Sequence, residues 1–287
     1  MKKITWTGVI VLCIFLWPQQ SASAQTSFIV RDKNMSETIL RDDFSLPATN
    51  HMFMDMHKFR LLLKRLGEQV YEKPINASLD ERMEIIPEKA GNALDTERFV
   101  QAFQQFFYTN KSNNIVVPKK VIYPKVDSEL LANISTTKIK SYSTFYKPGN
   151  KERSHNISLA IKAINNQVVI PGETFSFNKI VGKRTKERGY KRAPVIVRGE
   201  LSEDIGGGIC QVSSTLFNAV HLNGIQIVER YSHSRKVPYV PPGKDATVSW
   251  WGPDFVFKNN YKQPILVRAH AANGRVTVAI YASDSLQ

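Results

Sequence analysis

Two stretches in the first half of the chain place apolar side chains at helical spacing. In residues 51–71 the apolar positions recur every three or four residues, with lysines and arginines between them, which predicts an amphipathic basic helix. These positions are Met56, Phe59, Leu63, Leu66 and Val70. We expect this helix to pack onto its own domain rather than to adsorb to a membrane. Asp95 is a suitable N-cap for a second helix, which carries Phe99, Phe103 and Phe106 on one face.

Short extended segments surround the second helix. Leu79 and residues 83–86 are strand candidates, and residues 115–117 and 121–123 are two more, each followed by a proline. Together with the helix they predict a small α/β domain over residues 70–135. This domain carries no constellation of catalytic residues, so we expect it to position or bind a partner.

In the second half of the chain the pattern is typical of strands with two helices among them. Ser154 is the predicted N-cap of one helix, and residues 211–221 form the other. The buried stripe of the first is Ile157, Ala160, Ile161 and Ile164. Phe175 and Phe177 alternate with polar neighbours as in a strand, and further strands are predicted at residues 144–146, 168–170, 193–198, 225–228, 237–240, 246–251 and 255–257. Residues 265–270 are predicted to pair with residues 276–281 across Asn273-Gly274, a strong hairpin signal.

The predicted fold class is α+β, a small α/β N-terminal domain followed by a mainly antiparallel β domain with one or two packed helices. Residues 1–24 are assigned to a signal peptide, 25–69 to a linker and the amphipathic helix, 70–135 to the small domain and 136–287 to the β domain. Residues 25–50 are polar and mixed, and are expected to form a linker or an early strand.

The first 24 residues have the three parts of a secretory leader. Lys2 and Lys3 form a positive region, residues 4–17 are apolar, and Ala22-Ser23-Ala24 matches a small-x-small cleavage site. The apolar run is shorter than the roughly 20 residues of a spanning helix. We therefore expect an exported protein of the cell envelope with no transmembrane segment in its mature chain.

The chain is strongly basic, with a formal net charge of +14. Such a charge attracts polyanions. Export and the lack of a recognisable nucleic-acid module argue against nucleic acid, whereas anionic wall polymers or lipid head groups fit better. The alternative is a solubilising surface with no specific partner.

Cys210 is the only cysteine left once the leader, which contains Cys13, is removed. A lone thiol in an exported protein cannot form an intramolecular disulfide. It follows Gly206-Gly207-Gly208 at the start of a predicted helix, where the helix N-terminus lowers a thiol pKa and the glycines bring backbone N–H groups close to a substrate carbonyl. The alternative is a tight turn, with Gly207 and Gly208 as turn residues, and an inert buried thiol.

Several sequence blocks occur together and in a characteristic order. They are PGETFSFN at residues 171–178, GGGICQVSSTL at 206–216, ER at 229–230, HS at 233–234, GKDATV at 243–248, DF at 254–255 and KN at 258–259. In these blocks the chain resembles the VanW family over residues 142–281. Residues 70–135 more weakly resemble the peptidoglycan-binding-like domain that often precedes VanW domains.

The resemblance implies cell-wall chemistry, because some VanW proteins are L,D-transpeptidases that use the glycine-flanked cysteine to cross-link peptidoglycan stem peptides. It makes Cys210 the nucleophile and favours His233 as its base, with His155 as the second candidate. His221 lies about 16 Å along the same helix from the cysteine, too far for contact. Asp245 either orients the imidazole or an acceptor amine, or caps the turn after residues 241–243.

Other polar residues are candidates for substrate binding. Arg230 and Arg153 could bind a stem-peptide carboxylate or form structural ion pairs. Gln211 and Ser213 are candidate pocket residues, although hydroxyls on a helix are also commonly structural. No metal site and no cofactor are expected, because no metal-ligand motif and no phosphate-loop spacing is present.

The sequence thus predicts an exported cell-wall protein, a cysteine-dependent acyltransferase of the L,D-transpeptidase kind that acts on peptidoglycan stem peptides. Two alternatives stay open. One is a cysteine-dependent wall hydrolase, and the other is a non-catalytic peptidoglycan-binding or accessory protein.

Overall fold

The computed structural model describes residues 26–33, 35–197 and 200–285. The predicted signal peptide lies outside the described residues. The described part divides into two compact units. The first contains the residues up to Glu72 together with Asn92–Val121, and the second contains Lys73–Gly91 and the residues from Ile122 onward. The two units are defined by contacts and differ in their limits from the predicted domains, which begin at residues 70 and 136. The domain boundaries stay a prediction.

The described residues form strands, α-helices and one short 3₁₀ helix. The elements up to residue 134 are β1 (Ser27–Asp32), β2 (Met35–Leu40), the 3₁₀ helix (Asp42–Phe44), α1 (Met56–Val70), β3 (Ser78–Leu79), β4 (Ile85–Ile86), β5 (Gly91–Leu94), α2 (Thr96–Thr109), β6 (Asn113–Val116), β7 (Lys119–Ile122) and α3 (Ser128–Ile134). The later elements are β8 (Thr137–Phe145), α4 (Lys151–Ile164), β9 (Gln167–Val169), β10 (Thr174–Ser176), α5 (Phe177–Val181), β11 (Arg192–Val197), β12 (Glu200–Ile205), α6 (Ile209–Val220), β13 (Ile225–Glu229), β14 (Val256–Asn259), β15 (Ile265–Ala272) and β16 (Arg275–Ala282). No helix in the described part is both long and apolar enough to span a membrane.

The first unit is built on a three-stranded sheet with β1 in the centre, antiparallel to β2 and parallel to β6. Within residues 25–50, which were expected to form a linker or an early strand, Ser27–Asp32 and Met35–Leu40 pair as the antiparallel strands β1 and β2. Helices α1 and α2 occur where the apolar spacing predicts them. In α1 the buried stripe includes Leu62, whereas Met56 is exposed. The core is rich in aromatic rings, and Phe103 contacts several of them.

The second unit contains a four-stranded antiparallel sheet in the order β8-β16-β15-β9. The β15–β16 hairpin turns at Asn273 and Gly274, which both have positive φ, at 50° and 77°. This backbone is the one that an Asn-Gly pair favours, so the predicted hairpin is confirmed. Helices α4 and α6 pack against this sheet and against each other, and their apolar side chains fill one core.

Several local predictions in the second unit are wrong. Helix α4 begins at Lys151 and is capped by Asn150, so Ser154 lies inside it. Phe177 begins the short helix α5 instead of continuing a strand. Residues 237–240 and 246–251 form irregular backbone rather than strands.

Strands β10 to β14 form two smaller antiparallel sheets. Strand β14 lies between β10 and β13, and β11 pairs with β12 in a two-stranded ribbon that leads to the triple glycine. Helices packed on antiparallel sheets confirm the predicted α+β class. The elements that matter for the candidate site are β11, β12, α4 and α6, together with the irregular segment after β13.

Candidate active site

The N-terminus of α6 differs from those of the other α-helices described. The first turns of those helices are capped by the side chains of Asp55, Asp95, Asp127, Asn150 and Ser176. Helix α6 follows Gly208, and no side chain caps it. Cys210 is its second residue. Because first-turn amides have no intrahelical acceptor and carry the positive end of the helix dipole, this end favours a negative group near Cys210.

The triple glycine before α6 is required by its backbone and its packing. Gly206 and Gly208 have φ values of 94° and 108°, a region that favours glycine. A Cβ on Gly207 would lie 2.6 Å from the carbonyl oxygen of Ala193 in β11. The Gly207 carbonyl accepts a hydrogen bond from the buried Asn156 amide at 3.1 Å. The turn is thus pressed against β11 and α4, which fixes the start of α6.

His233 and Asp245 form a short contact beside the thiol. One Asp245 oxygen, Oδ2, lies 2.6 Å from both the backbone nitrogen and Nδ1 of His233. Only 6% of the His233 side chain and 8% of the Asp245 side chain are exposed. Because Asp245 engages Nδ1, the other ring nitrogen is the one available to the thiol. The structure therefore brings Cys210, His233 and Asp245 together.

The pKa of the Cys210 thiol lies below its ordinary value. Burial raises this pKa, but a hydrogen-bonding interaction with His233, a backbone hydrogen bond at Val248 and the charge of His233 outweigh that effect. The sulfur lies 3.5 Å from the Val248 carbonyl oxygen and 3.8 Å from the Thr247 hydroxyl. The surroundings of Cys210 therefore favour the thiolate, which is the nucleophilic form.

The pKa values of His233 and Asp245 shift in the directions that stabilise an ion pair. Burial lowers the pKa of His233, but the interactions with Cys210 and then with Asp245 raise it above its ordinary value overall. Burial raises the pKa of Asp245, but its hydrogen bonds with His233 lower it overall. The resting charge states that these shifts favour are a thiolate at Cys210, an imidazolium at His233 and a carboxylate at Asp245.

The buried polar face of α6 holds the segment that carries Asp245. The Ser213 hydroxyl donates to the Ala246 carbonyl at 2.5 Å, and the Ala246 N–H donates to the Ser214 hydroxyl at 2.9 Å. The Asn218 amide donates to the Lys244 carbonyl at 2.7 Å. These side chains replace the strand partner that residues 244–246 lack, which explains why the segment is irregular yet fixed.

The thiol opens into a cavity of about 1050 Å³ in the second unit. Its lining includes Cys210, His233, Tyr239, Trp250 and Trp251. Burial and then the nearby thiolate charge raise the pKa of Tyr239 far above its usual range, so the phenol stays neutral and can donate a hydrogen bond. Trp251 is 84% exposed, at the solvent side of the lining.

The candidate residues fall into two groups. Gln211 lines the cavity, and its amide oxygen accepts a hydrogen bond from Arg153 at 2.8 Å. Ser213 and Gly207 do not line it, and Ser213 is occupied by the hydrogen bond to Ala246. Arg230 also lies outside the lining, where it donates to the Gly243 carbonyl at 2.8 Å and stacks over Phe217.

The other histidines considered as bases lie elsewhere. His155 contacts the carbonyl oxygen of Gly189 at 2.9 Å, and His221 caps the far end of α6 against Phe217. Neither lines the cavity. Within the described residues, no cluster of three or more His, Cys, Asp and Glu side chains could hold a metal ion.

Arg184 and Tyr239 are among the cavity residues that sequence reasoning missed. Arg184 follows α5 in a segment rich in exposed lysines, and nothing in that pattern distinguishes it. Tyr239 lies in a segment predicted as a strand. The signal available for Tyr239 was its place between Pro238 and Pro241, since prolines make a regular strand unfavourable.

Comparisons with known proteins agree with the sequence blocks. The family model described as "VanW like protein" matches residues 152–281. The chain is 50% identical over 276 residues to "Uncharacterized protein YoaR" of Bacillus subtilis (strain 168). The aligned residues cover 96% of this chain and 91% of that protein. The chain is 34% identical over 110 residues to "Vancomycin B-type resistance protein VanW" of Enterococcus faecalis (strain ATCC 700802 / V583), or 37% of this chain and 40% of that protein. No solved structure matches the chain significantly.

Proposed function

The chain belongs to the VanW family, and on that premise we propose that it is an exported cell-wall protein and a cysteine-dependent acyltransferase of the L,D-transpeptidase kind. Its substrates in this proposal are peptidoglycan stem peptides. The relative from Enterococcus faecalis is named as a vancomycin resistance protein, which supports a cell-wall setting. The basic charge of the chain fits the same setting, because wall polymers are anionic.

The observation that carries the proposal is the contact of three titratable groups at one end of a cavity. Cys210, His233 and Asp245 have pKa shifts that favour thiolate, imidazolium and carboxylate. A nucleophile, a base in hydrogen-bonding reach and a group that orients the base form the general arrangement for covalent catalysis. A non-catalytic buried thiol has no need of a buried His–Asp pair.

In the first half of the proposed reaction, the Cys210 thiolate attacks the carbonyl of the amide that follows the L-centre of a diamino acid. The positive N-terminal end of α6 stabilises the oxyanion of the tetrahedral intermediate. The His233 imidazolium gives its proton to the leaving nitrogen, so the C–N bond breaks and the terminal D-residue departs as an amine. A thioester on Cys210 and a neutral imidazole remain.

In the second half, an amine of another stem peptide attacks the thioester. Neutral His233 accepts a proton from that amine, the C–S bond breaks, and the thiolate returns. Asp245 stays ionised throughout and holds the ring with Nδ1–H toward itself, which leaves the other nitrogen facing the reaction. Water in place of the amine makes the same site a carboxypeptidase.

The test compares the protein with its Cys210→Ala variant on purified sacculi, followed by muramidase digestion and mass spectrometry of the muropeptides. We expect new cross-links at the L-centre with loss of one terminal residue, and none with the variant. Circular dichroism checks that Cys210→Ala folds, which a change of one small side chain for another favours.

Other outcomes of this experiment separate the alternatives. Cysteine-dependent loss of cross-links identifies a hydrolase, and shortened stems without cross-links identify water as the acceptor. Identical profiles for the two proteins contradict an enzyme. In that case, binding of both proteins to sacculi supports an accessory role.

A further inference from the structure

Two arginines lie against the glycine turn that precedes Cys210. A Cβ on Gly206 would lie 3.1 Å from Cβ and Cγ of Arg184, and a Cβ on Gly208 would lie 3.1 Å from Cγ of Arg153. The missing glycine side chains thus make room for the stems of both arginines. The two turn residues lie four and two positions before the nucleophile. Both arginines line the same cavity as Cys210.

The guanidinium of Arg184 lacks the partners that a buried charge requires. Its face lies over the Phe177 ring, with Cζ 5.9 Å from the ring centroid. Both terminal nitrogens are buried, and within the described residues neither has a hydrogen-bond partner. Burial lowers the pKa of this group, whereas the thiolate charge of Cys210 raises it. Since buried charges in proteins are nearly always paired, the environment of Arg184 is one that a bound anion would complete.

Arg153, which lines the same cavity, is held by a chain of hydrogen bonds. One terminal nitrogen donates to Oε1 of Gln211 at 2.8 Å, and the Gln211 amide nitrogen in turn donates to Thr144 and to the Phe145 carbonyl, both at 3.0 Å. In the described part of the chain, no ion pair joins Arg153 or Arg184 to a carboxylate. Two guanidinium groups without a carboxylate ion pair in this part of the chain therefore line the cavity of the nucleophile.

We propose that Arg153 and Arg184 form a subsite that binds the free C-terminal carboxylate of the donor peptide. The inference rests on the proposed function of Cys210 and names the group that positions the attacked amide. A planar guanidinium fork matches a carboxylate and fixes its orientation, which a single ammonium does not. Arg184 reaches the ligand by turning its side chain toward the cavity that it lines, a rotamer change of the kind common on binding.

The position of the subsite relative to Cys210 limits the length of the group that leaves. Both arginine stems contact residues within four positions of the nucleophile, and the thiolate charge acts on both guanidinium groups. One extended residue spans about 3.3–3.6 Å. In this subsite, the carboxylate that the arginines hold belongs to the residue whose amide the thiol attacks, so a single amino acid is released.

The experiment measures binding in the Cys210→Ala protein, so that no turnover interferes. The probes are a synthetic stem peptide with one D-alanine after the diamino acid and a free carboxylate, and the same peptide as its C-terminal amide. By isothermal titration calorimetry we expect the carboxylate to bind about tenfold or more tightly than the amide, as a charge-assisted pair implies. Equal affinities for the two peptides, or no binding of either, overturn the subsite.

Variants identify the residues responsible. Arg184→Gln and Arg153→Gln should each reduce the preference for the carboxylate to less than about threefold, because each removes one of the two guanidinium groups that bind it. Arg188→Gln is the matched control, since Arg188 is an exposed arginine of the same segment outside the cavity lining, and the preference should persist. A preference that survives both cavity substitutions contradicts the proposal. If Arg184→Gln does not fold, the affinities of Arg153→Gln for the two peptides still test the subsite.

Two further results separate this inference from others. Strong competition by inorganic phosphate together with equal binding of both peptides indicates a phosphate site of a wall polymer and overturns the carboxylate subsite. Cysteine-dependent muropeptide products without a carboxylate preference leave the proposed function standing and reject the subsite. A carboxylate preference without such products supports the subsite and rejects the acyltransferase.

Discussion

Helices α2 and α6 have similar lengths, yet they differ in their N-termini and in their buried faces. Helix α2 is capped by Asp95, whose carboxylate accepts a hydrogen bond from the Arg98 N–H at 3.1 Å, and it buries four phenylalanines. Helix α6 follows a glycine without a side-chain cap. Its buried face includes the polar residues Gln211, Ser213, Ser214, Thr215 and Asn218.

The difference separates a helix that stabilises a core from one that positions the residues of the candidate site. At the N-terminus of α2, the Asp95 side chain accepts a hydrogen bond from the first turn. The phenylalanine rings of this helix exclude water from a core. Helix α6 begins without a side-chain cap beside the thiol, and its polar face holds the segment that carries Asp245. Buried polar side chains specify one geometry when all of them are hydrogen-bonded, and those of α6 use that property to fix a site.

The largest effect that the comparison predicts on stability is at the centre of the aromatic core. Phe103 contacts the rings of Phe28, Phe44, Phe59, Phe99 and Phe106. Phe103→Ala should lower the free energy of unfolding by about 3–5 kcal/mol, because a ring is removed from a packed core. Urea denaturation measures this loss. Tyr108→Ala on the exposed face of the same helix is the control and should cost under about 1 kcal/mol. Equal losses in the two variants contradict the assigned core.

A smaller effect is expected at the α2 N-terminus. Asp95→Ala should lower the free energy of unfolding by about 1 kcal/mol, because the cap to the Arg98 N–H is lost. Asp95→Asn should keep most of this stability, since asparagine caps nearly as well as aspartate. Urea denaturation of both variants checks the prediction. A loss from Asp95→Asn as large as that from Asp95→Ala would show that charge, and not the cap, stabilises the helix.

Elements with local signals could be predicted from the sequence. Helix α2 is fixed by Asp95 and by rings at helical spacing, and the β15–β16 hairpin is fixed by Asn273 and Gly274, which both adopt positive φ. Cys210 was singled out as the lone thiol after three glycines, His233 and Asp245 were singled out from the resemblance, and the structure brings the three together. Local chemistry and a recognised pattern thus identify the elements and the three titratable groups.

The rest of the site depends on contacts between distant segments, which a single sequence does not reveal. Residues 246–251 have the composition of a strand, but their backbone at Ala246 is satisfied by Ser213 and Ser214 of α6. Arg184 resembles its exposed basic neighbours until α5 and the glycine turn enclose it. Arg230 was one candidate ligand for a substrate carboxylate, yet its guanidinium donates to the Gly243 carbonyl.

In the proposed site, His233 keeps Cys210 as a reactive thiolate. The pH dependence of Cys210 alkylation tests this role of His233 most directly. The rate of reaction with iodoacetamide is followed by mass spectrometry of the peptide that contains Cys210. Because the thiolate reacts, the rate rises with pH through the thiol pKa, so a lowered pKa keeps the rate high below the ordinary thiol value of about 8.5. We predict an inflection below that value, a shift to higher pH in His233→Ala, and no shift in His155→Ala. An inflection at or above the ordinary value, or the same inflection in His233→Ala, would contradict the claim.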